Sequence, residues 1–318
     1  METEAQLEKI DYSIIVPVYC NQGMLKNFME QIKDSVISKN TELTCEVIFV
    51  DDGSEDNSLD ELIEIYEANT SIVKIIKLTR NFGQAHALMA GFEYAKGKCA
   101  VAISADGQDP VDLINQMLKG HFEDSFEIVI CVRKGRDESF YRVLTSRIFY
   151  FLMKILAFPN MPLGGFDFML LGRKALNNIL AYQESHPFLQ GQILSLGYRI
   201  KFLDYQRLER KIGKSRWTFG KKLTYLLDGI LNYSFLPIRL MSGIGIIVAL
   251  LGLLYAIIIL VEKFIGNIPV TGWAPLMIVI LIIGGVQIIL LGIIGEYIWR
   301  ILARSKKGPH YIVEKIYQ

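Results

Sequence analysis

Residues 46–54 read Glu46-Val47-Ile48-Phe49-Val50-Asp51-Asp52-Gly53-Ser54, an apolar run that breaks into two carboxylates and a turn. Short β-branched runs of this kind suit strands covered on both faces, as in a parallel sheet. Comparable runs occur at Tyr12–Val18, Val73–Leu78 and Ala100–Ser104. Helical periodicity fills the intervals at Met24–Ser38, Ser58–Ala68 and Gln84–Ala95, and Asp56-Asn57-Ser58 offers N-cap chemistry for the second. Strand–helix–strand repetition predicts an α/β fold with a doubly wound, mostly parallel sheet. Ligands on such sheets sit at the carboxyl ends of strands. The polar clusters fall there: Asp51-Asp52-Gly53-Ser54, Arg80-Asn81-Phe82-Gly83 and Asp106-Gly107-Gln108-Asp109.

The 318 residues suggest about two domains. A charged fraction of 21% excludes a disordered chain, and a net charge of +1 argues against a general nucleic-acid binder. Mean hydropathy is +0.30, too high for an ordinary soluble domain, and the excess is local. Residues 240–261 carry no charge, and neither do residues 268–295. Crossing a bilayer takes about 20 apolar residues, so two transmembrane helices are predicted. Arg207, Arg210, Lys211, Lys214, Arg216, Lys221, Lys222 and Arg239 precede the first run; Arg300, Arg304, Lys306 and Lys307 follow the second. The positive-inside rule then gives a hairpin with both chain ends cytoplasmic. The predicted parts are a cytosolic domain over 1–210, a juxtamembrane amphipathic segment over 211–239, two membrane helices over 240–299 and a cytosolic tail over 300–318. The segment Ser215–Leu240 reads as a basic amphipathic helix on an anionic leaflet, and Phe140–Leu156 as a second interfacial helix or one packed on the sheet domain.

Each polar cluster has a plain reading beside a functional one. Asp51 and Asp52 can cap a turn, or bind a ribose hydroxyl or a base N–H. Asp106, Gln108 and Asp109 lie within four residues after a buried strand, which suits a hard cation such as Mg²⁺ or Mn²⁺ completed by water and phosphate. The alternative is a helix cap before Pro110, with Asp109 as the cap. Arg133, Arg136, Arg142, Arg210 and Lys214 can supply charge-assisted phosphate contacts. Together these point to a nucleotide sugar whose departing diphosphate is stabilised by metal and basic side chains. No G-x-x-x-x-G-K-[ST] or G-x-S-x-G motif occurs. The four cysteines are far apart and suggest buried thiols. His86, beside Arg80–Gly83, reads as a cap-region hydrogen bond or a donor-phosphate contact.

Ile14-Ile15-Val16-Pro17-Val18-Tyr19, Val50–Ser54, Arg80–Gly83, Ser104–Pro110 and Gly164-Gly165-Phe166-Asp167-Phe168, followed by two apolar spans, resemble the inverting family 2 polyprenyl-phosphate glycosyltransferases. That group includes bacterial undecaprenyl-phosphate glucosyltransferases and dolichol-phosphate mannose synthase. The resemblance implies a GT-A (Rossmann-like) fold, a nucleotide-sugar donor (UDP by analogy), Mg²⁺ or Mn²⁺, a polyprenyl phosphate acceptor and a homo-oligomer, a tetramer by analogy. Carried over, Pro17, Asp51, Asp52, Asn81, Gly83, Asp106 and Arg133 would bind donor, and Asp106 and Gln108 would hold the metal. Arg133, Arg142, Ser146, Arg210, Lys214 and Ser215 would meet diphosphate or acceptor phosphate. Asp106, Asp167 and Arg210 would serve the transfer itself, Asp167 as base or as an orienting group. The chain departs from the pattern at Ser104, where the metal motif usually begins with Asp, at Tyr19-Cys20-Asn21 and at Gly308-Pro309-His310-Tyr311. Two rivals are a processive polysaccharide synthase, whose Gln-x-x-Arg-Trp motif has Gly213 in place of Gln, and a membrane-anchored, non-catalytic nucleotide-sugar-binding scaffold.

Overall fold

In a computed structural model the described residues are 10–133, 150–155, 157–162, 164–182, 188–206, 236–265, 272–305 and 309–318. They separate into two units, residues 1–229 with 308–318 and residues 230–307.

The first unit is built on one eight-stranded sheet. Its strands are β1 (Tyr12–Val18), β2 (Cys45–Asp51), β3 (Val73–Leu78), β4 (Cys99–Ala102), β5 (Ile128–Arg133), β6 (Met169–Gly172), β7 (Ile200–Tyr205) and β8 (Val313–Tyr317). Their order across the sheet is β7-β5-β6-β4-β1-β2-β3-β8. β1 runs parallel to β2 and β4, β2 to β3, and β5 to β7; β6 and β8 are antiparallel to their neighbours. The central strands explain their own apolar runs: Ile14, Ile15, Val16, Val47, Ile48, Phe49 and Val50 are fully buried. Helices α1 (Leu25–Ser35), α2 (Ser58–Glu67), α3 (Gln84–Tyr94) and α4 (Leu113–Phe122) connect and cover these strands.

The expected bounds of β1 and β3 match the observed ones. The first helix stops at Ser35, short of Ser38, and a 3₁₀ turn over Ile37–Lys39 takes its place. Helix α2 starts at Ser58; its N-cap, Asn57, makes no side-chain cap bond, and Asp56 Oδ1 instead accepts from the Ser58 N–H at 3.1 Å. Glu61 on α2 accepts from the N–H groups of Gly23 (2.6 Å) and Lys26 (2.9 Å) at the start of α1. These are backbone donors that a helix end otherwise leaves unpaired.

The C-terminal residues are more than a tail. Val313–Tyr317 pairs with β3, with Ile76 opposite Ile316 and Ile75 opposite Tyr317. Lys77 forms an ion pair with Glu314 at 2.8 Å, and the Tyr311 hydroxyl donates to Glu93. The edge strand carries charge at its two exposed positions, Glu314 and Lys315, which marks a protected sheet edge.

The second unit holds two long helices, Leu236–Ile265 and Trp273–Ser305. Among the described residues one stretch, Ile282–Trp299, is long and apolar enough to cross a membrane; the first helix contains the shorter apolar run Met241–Tyr255. Ile288 is 72% exposed and Ile301 68%, surface that water does not favour. The interfacial helix expected over Ser215–Leu240 lies outside the described residues up to 235, and that over Phe140–Leu156 outside them except at 150–155.

Candidate active site

The topology decides where the polar clusters meet. β1, β2, β3, β4, β5 and β7 all point one way, so their carboxyl ends share one sheet edge. β6 is antiparallel, so the residues just before it, Asp167 and Phe168, lie at that same edge. Strand order reverses beside β1, which is flanked by β2 on one side and β4 on the other. Crevices at such reversals are where doubly wound sheets bind ligands.

Asp51 ends β2 and is fully buried. Its Oδ1 accepts from Ser54 N at 3.1 Å; its Oδ2 is buried without a hydrogen-bond partner among the described residues. Burial raises its pKa, against the Ser54 bonds that lower it. Asp52, 3% exposed, has a different task. Its Oδ1 accepts from Phe82 N at 2.7 Å and its Oδ2 from Gly83 N at 2.9 Å. Burial pushes its pKa up to about 6 despite those donors. Asp52 thus ties the end of β2 to the loop after β3. Gly53 completes the tie: its φ is +67°, and a Cβ there would lie 2.5 Å from the Arg80 carbonyl carbon.

The loop after β1 joins the same assembly. Cys20 N donates to Ser54 Oγ at 3.0 Å, and Asn21 N to Ser58 Oγ at 2.8 Å. Pro17 is half-buried, Asn81 is exposed, and Gly83 opens α3 at φ +97°. The Arg80 guanidinium lies over the Phe82 ring at 4.3 Å. His86 Nδ1 is 2.9 Å from Phe82 O, the cap-region bond that the sequence suggested.

Asp106 follows β4 and is 7% exposed, with Gln108 N donating to its Oδ1 at 3.2 Å. Gly107 takes φ +66°, a left-handed conformation suited to glycine, to close that turn. Asp109 accepts from the Tyr205 hydroxyl at 2.5 Å. Arg133 Nε donates to the Tyr205 oxygen at 3.1 Å, and its Nη2 pairs with Asp167. Burial alone would lower the Arg133 pKa, but Asp167 beside it holds it above the ordinary value. Burial, reinforced by Asp109, raises that of Tyr205. Tyr205 escaped sequence reading; the available signal was its place as last residue of the short strand-like run Ile200–Tyr205, whose apolar residues Ile200, Phe202, Leu203 and Tyr205 are interrupted by Lys201 and Asp204.

Arg142, Ser146, Arg210, Lys214 and Ser215 lie outside the described residues, as does Arg136. Among the described residues no three His, Cys, Asp or Glu side chains converge as a ready-made metal cage. The donors at hand, the Asp106 carboxylate and the Gln108 amide, still fit Mg²⁺ or Mn²⁺, which binds through one or two carboxylates and fills its shell with water and phosphate oxygens.

Residues 13–180 match Glycosyl transferase family 2, and residues 236–301 match the GtrB C-terminal hairpin. The chain is 35% identical to the uncharacterized glycosyltransferase sll0501 of Synechocystis, over 97% of this chain and 96% of that protein. It is 30% identical to the bactoprenol glucosyl transferase of Shigella phage SfV, over 95% of this chain and 97% of that one. Among solved structures, the mannosyltransferase PcManGT of Pyrobaculum calidifontis is 21% identical, with a TM-score of 0.48 over 66% of this chain and 59% of that chain.

Proposed function

The chain belongs to glycosyl transferase family 2, and from that premise we propose that it moves a glycosyl group from a nucleotide-sugar donor to the phosphate of a polyprenyl lipid, with inversion. The relatives named bactoprenol glucosyl transferases, matched over nearly their whole length, support the acceptor. The observation that carries the donor is the Asp51 carboxylate: buried, at the sheet's ligand edge, with Oδ2 lacking a partner among the described residues. Leaving such an acceptor dry is costly. A nucleoside N–H or ribose hydroxyl would satisfy it, and uridine is the base we assign by family analogy.

Asp52 serves the donor indirectly, by fixing the Arg80–Gly83 loop through two backbone N–H groups, so that Asn81 and Gly83 line the donor side with Pro17. Mg²⁺ or Mn²⁺, held by Asp106 and Gln108, would supply Lewis-acid neutralisation of the leaving diphosphate. Arg133 offers its guanidinium to phosphate oxygen, and Asp167 orients that guanidinium. A polyprenyl phosphate is already ionised near neutral pH and needs little help from a base. Positioning and charge stabilisation therefore dominate the barrier. Arg142, Ser146, Arg210, Lys214 and Ser215 complete the phosphate contacts in this scheme.

The hairpin helices anchor the catalytic domain at the cytoplasmic membrane face, where the lipid phosphate is found. Domain boundaries near 210, 239 and 299, an integral inner-membrane location with both ends cytoplasmic, and a homo-oligomer belong to the same proposal. Membranes containing the protein, incubated with a panel of radiolabelled sugar nucleotides and undecaprenyl phosphate, test it. One donor should transfer label to the organic phase; label confined to water for every donor would refute the reading.

A further inference from the structure

We infer that Tyr205 is a positioning residue of the transfer step: its hydroxyl, anchored on Asp109, sets the orientation in which Arg133 meets phosphate. The inference rests on the phosphate-binding role proposed above for Arg133. Arg133 and Tyr205 are register partners on the neighbouring parallel strands β5 and β7, so the two side chains leave the sheet side by side. The Tyr205 hydroxyl has a single proton, and it goes to Asp109 Oδ1 at 2.5 Å. Its lone pairs are thereby turned toward Arg133, whose Nε–H they accept at 3.1 Å. The chain of donation runs one way, from Arg133 through Tyr205 to Asp109.

Burial separates a fixed end of this chain from an exchangeable one. Asp109 is 2% exposed and Tyr205 6%, so water cannot replace either partner cheaply. The ring of Tyr205 is also held edge-on by Phe168, with centroids 6.2 Å apart. At the other end of the guanidinium, the Asp167 side chain is 31% exposed. Arg133 carries five N–H groups. Among the described residues one goes to Tyr205 and one to Asp167, which leaves Nη1 and the second Nη2 proton to meet an incoming oxygen. Asp109 also belongs to the loop that begins at Asp106, so Tyr205 ties the loop after β4 to the guanidinium at the end of β5.

Tyr205→Phe in the full-length protein tests this, with undecaprenyl phosphate and the donor that the wild type uses. Losing a hydrogen bond to a charged partner costs about 1.5–3 kcal/mol, which as a rate is roughly ten- to a hundredfold. We expect a fall of that size in kcat, with KM for the nucleotide sugar changed less than about threefold on the same scale. Arg133→Lys should lose as much or more alone, yet cost little further in the Tyr205→Phe background, because both act through one guanidinium. A Tyr205→Phe enzyme with wild-type kcat, or losses that multiply as independent effects, overturns the inference. If Tyr205→Phe loses its cooperative melting transition, the same cycle with Asp109→Asn decides, since that variant keeps the ring and hydroxyl and removes the charge that anchors them. A wild-type protein that forms no lipid-linked product overturns the transferase reading itself; a wild type that transfers beside an unimpaired Tyr205→Phe overturns this inference alone.

Discussion

Asp52 accepts the backbone N–H of Gly83 at 2.9 Å, so a side chain just past the end of β2 holds the N-cap of α3, three elements later. The other oxygen of the same carboxylate takes the Phe82 N–H. Asp52→Ala removes both acceptors at once. Each bond to a charged group contributes about 1.5–3 kcal/mol. We expect KM for the nucleotide sugar to rise at least tenfold, on that scale, while the far-ultraviolet circular dichroism is unchanged. An unaltered KM would mean that the loop does not touch donor.

The Asp52 carboxyl titrates near 6 in the folded protein, against 3.8 for its ordinary value, because burial disfavours its charge. The folded state therefore binds more protons than the unfolded state between those values, and stability from this group falls as pH rises through the window. It is full below about 4 and spent above about 6. Melting temperatures of wild type and Asp52→Asn, taken from pH 4 to pH 8, should show the wild type losing ground to the variant between pH 4 and 6 and holding a constant offset above 7. A constant offset throughout would exclude the shift.

Gly53→Ala combines a left-handed backbone with a Cβ set against the Arg80 backbone at 2.5 Å. Backbone cannot swing aside as a long side chain can. A loss of about 2–4 kcal/mol is expected from strain and clash of this kind. Thermal denaturation of the full chain in detergent reads it directly, and an unchanged midpoint would show that the Arg80–Gly83 loop yields.

Asp106→Ala should abolish the response of turnover to added Mn²⁺ or Mg²⁺ while the protein keeps a cooperative melting transition. The carboxylate accepts from Gln108 N at 3.2 Å, two residues on in the same turn, so that bond shapes the loop rather than the sheet. Metal titrations of initial rate in both proteins provide the comparison. Full metal-dependent activity in the variant would remove Asp106 from the site.

Ile316→Pro removes an N–H from β8 opposite Ile76. Proline is poorly tolerated where a strand must keep its ladder. Amides of Val73–Leu78 should exchange with deuterium markedly faster than in wild type, with β1 unaffected. Unchanged protection of β3 would mean that β8 adds little to the sheet.

Much of the fold was legible because strands buried on both faces have no alternative to continuous apolar runs; Tyr12–Val18 and Val73–Leu78 announce themselves. β6 and β8 did not. Met169–Gly172 is four residues long and ends in glycine, and Val313–Tyr317 reads Val-Glu-Lys-Ile-Tyr, a pattern that only an edge position makes sense of. The site was legible as clusters but not as tasks. Asp51 and Asp52 are adjacent and chemically identical, yet one has an oxygen without a partner among the described residues and the other spends both oxygens on a loop. Tyr205 stayed hidden because its meaning comes from register with Arg133, and register between strands so distant in sequence is written in no local motif.

The last strand has a bearing on biosynthesis. β3 emerges early from the ribosome, but its outer edge is closed by residues that emerge only after two long apolar helices have been made. Until then the nascent sheet exposes a row of unsatisfied amides and carbonyls along β3. Completion of the sheet is thereby deferred until the greasy segments have been translated, and a chain stalled or cleaved within them would leave an open edge that quality-control proteases can recognise.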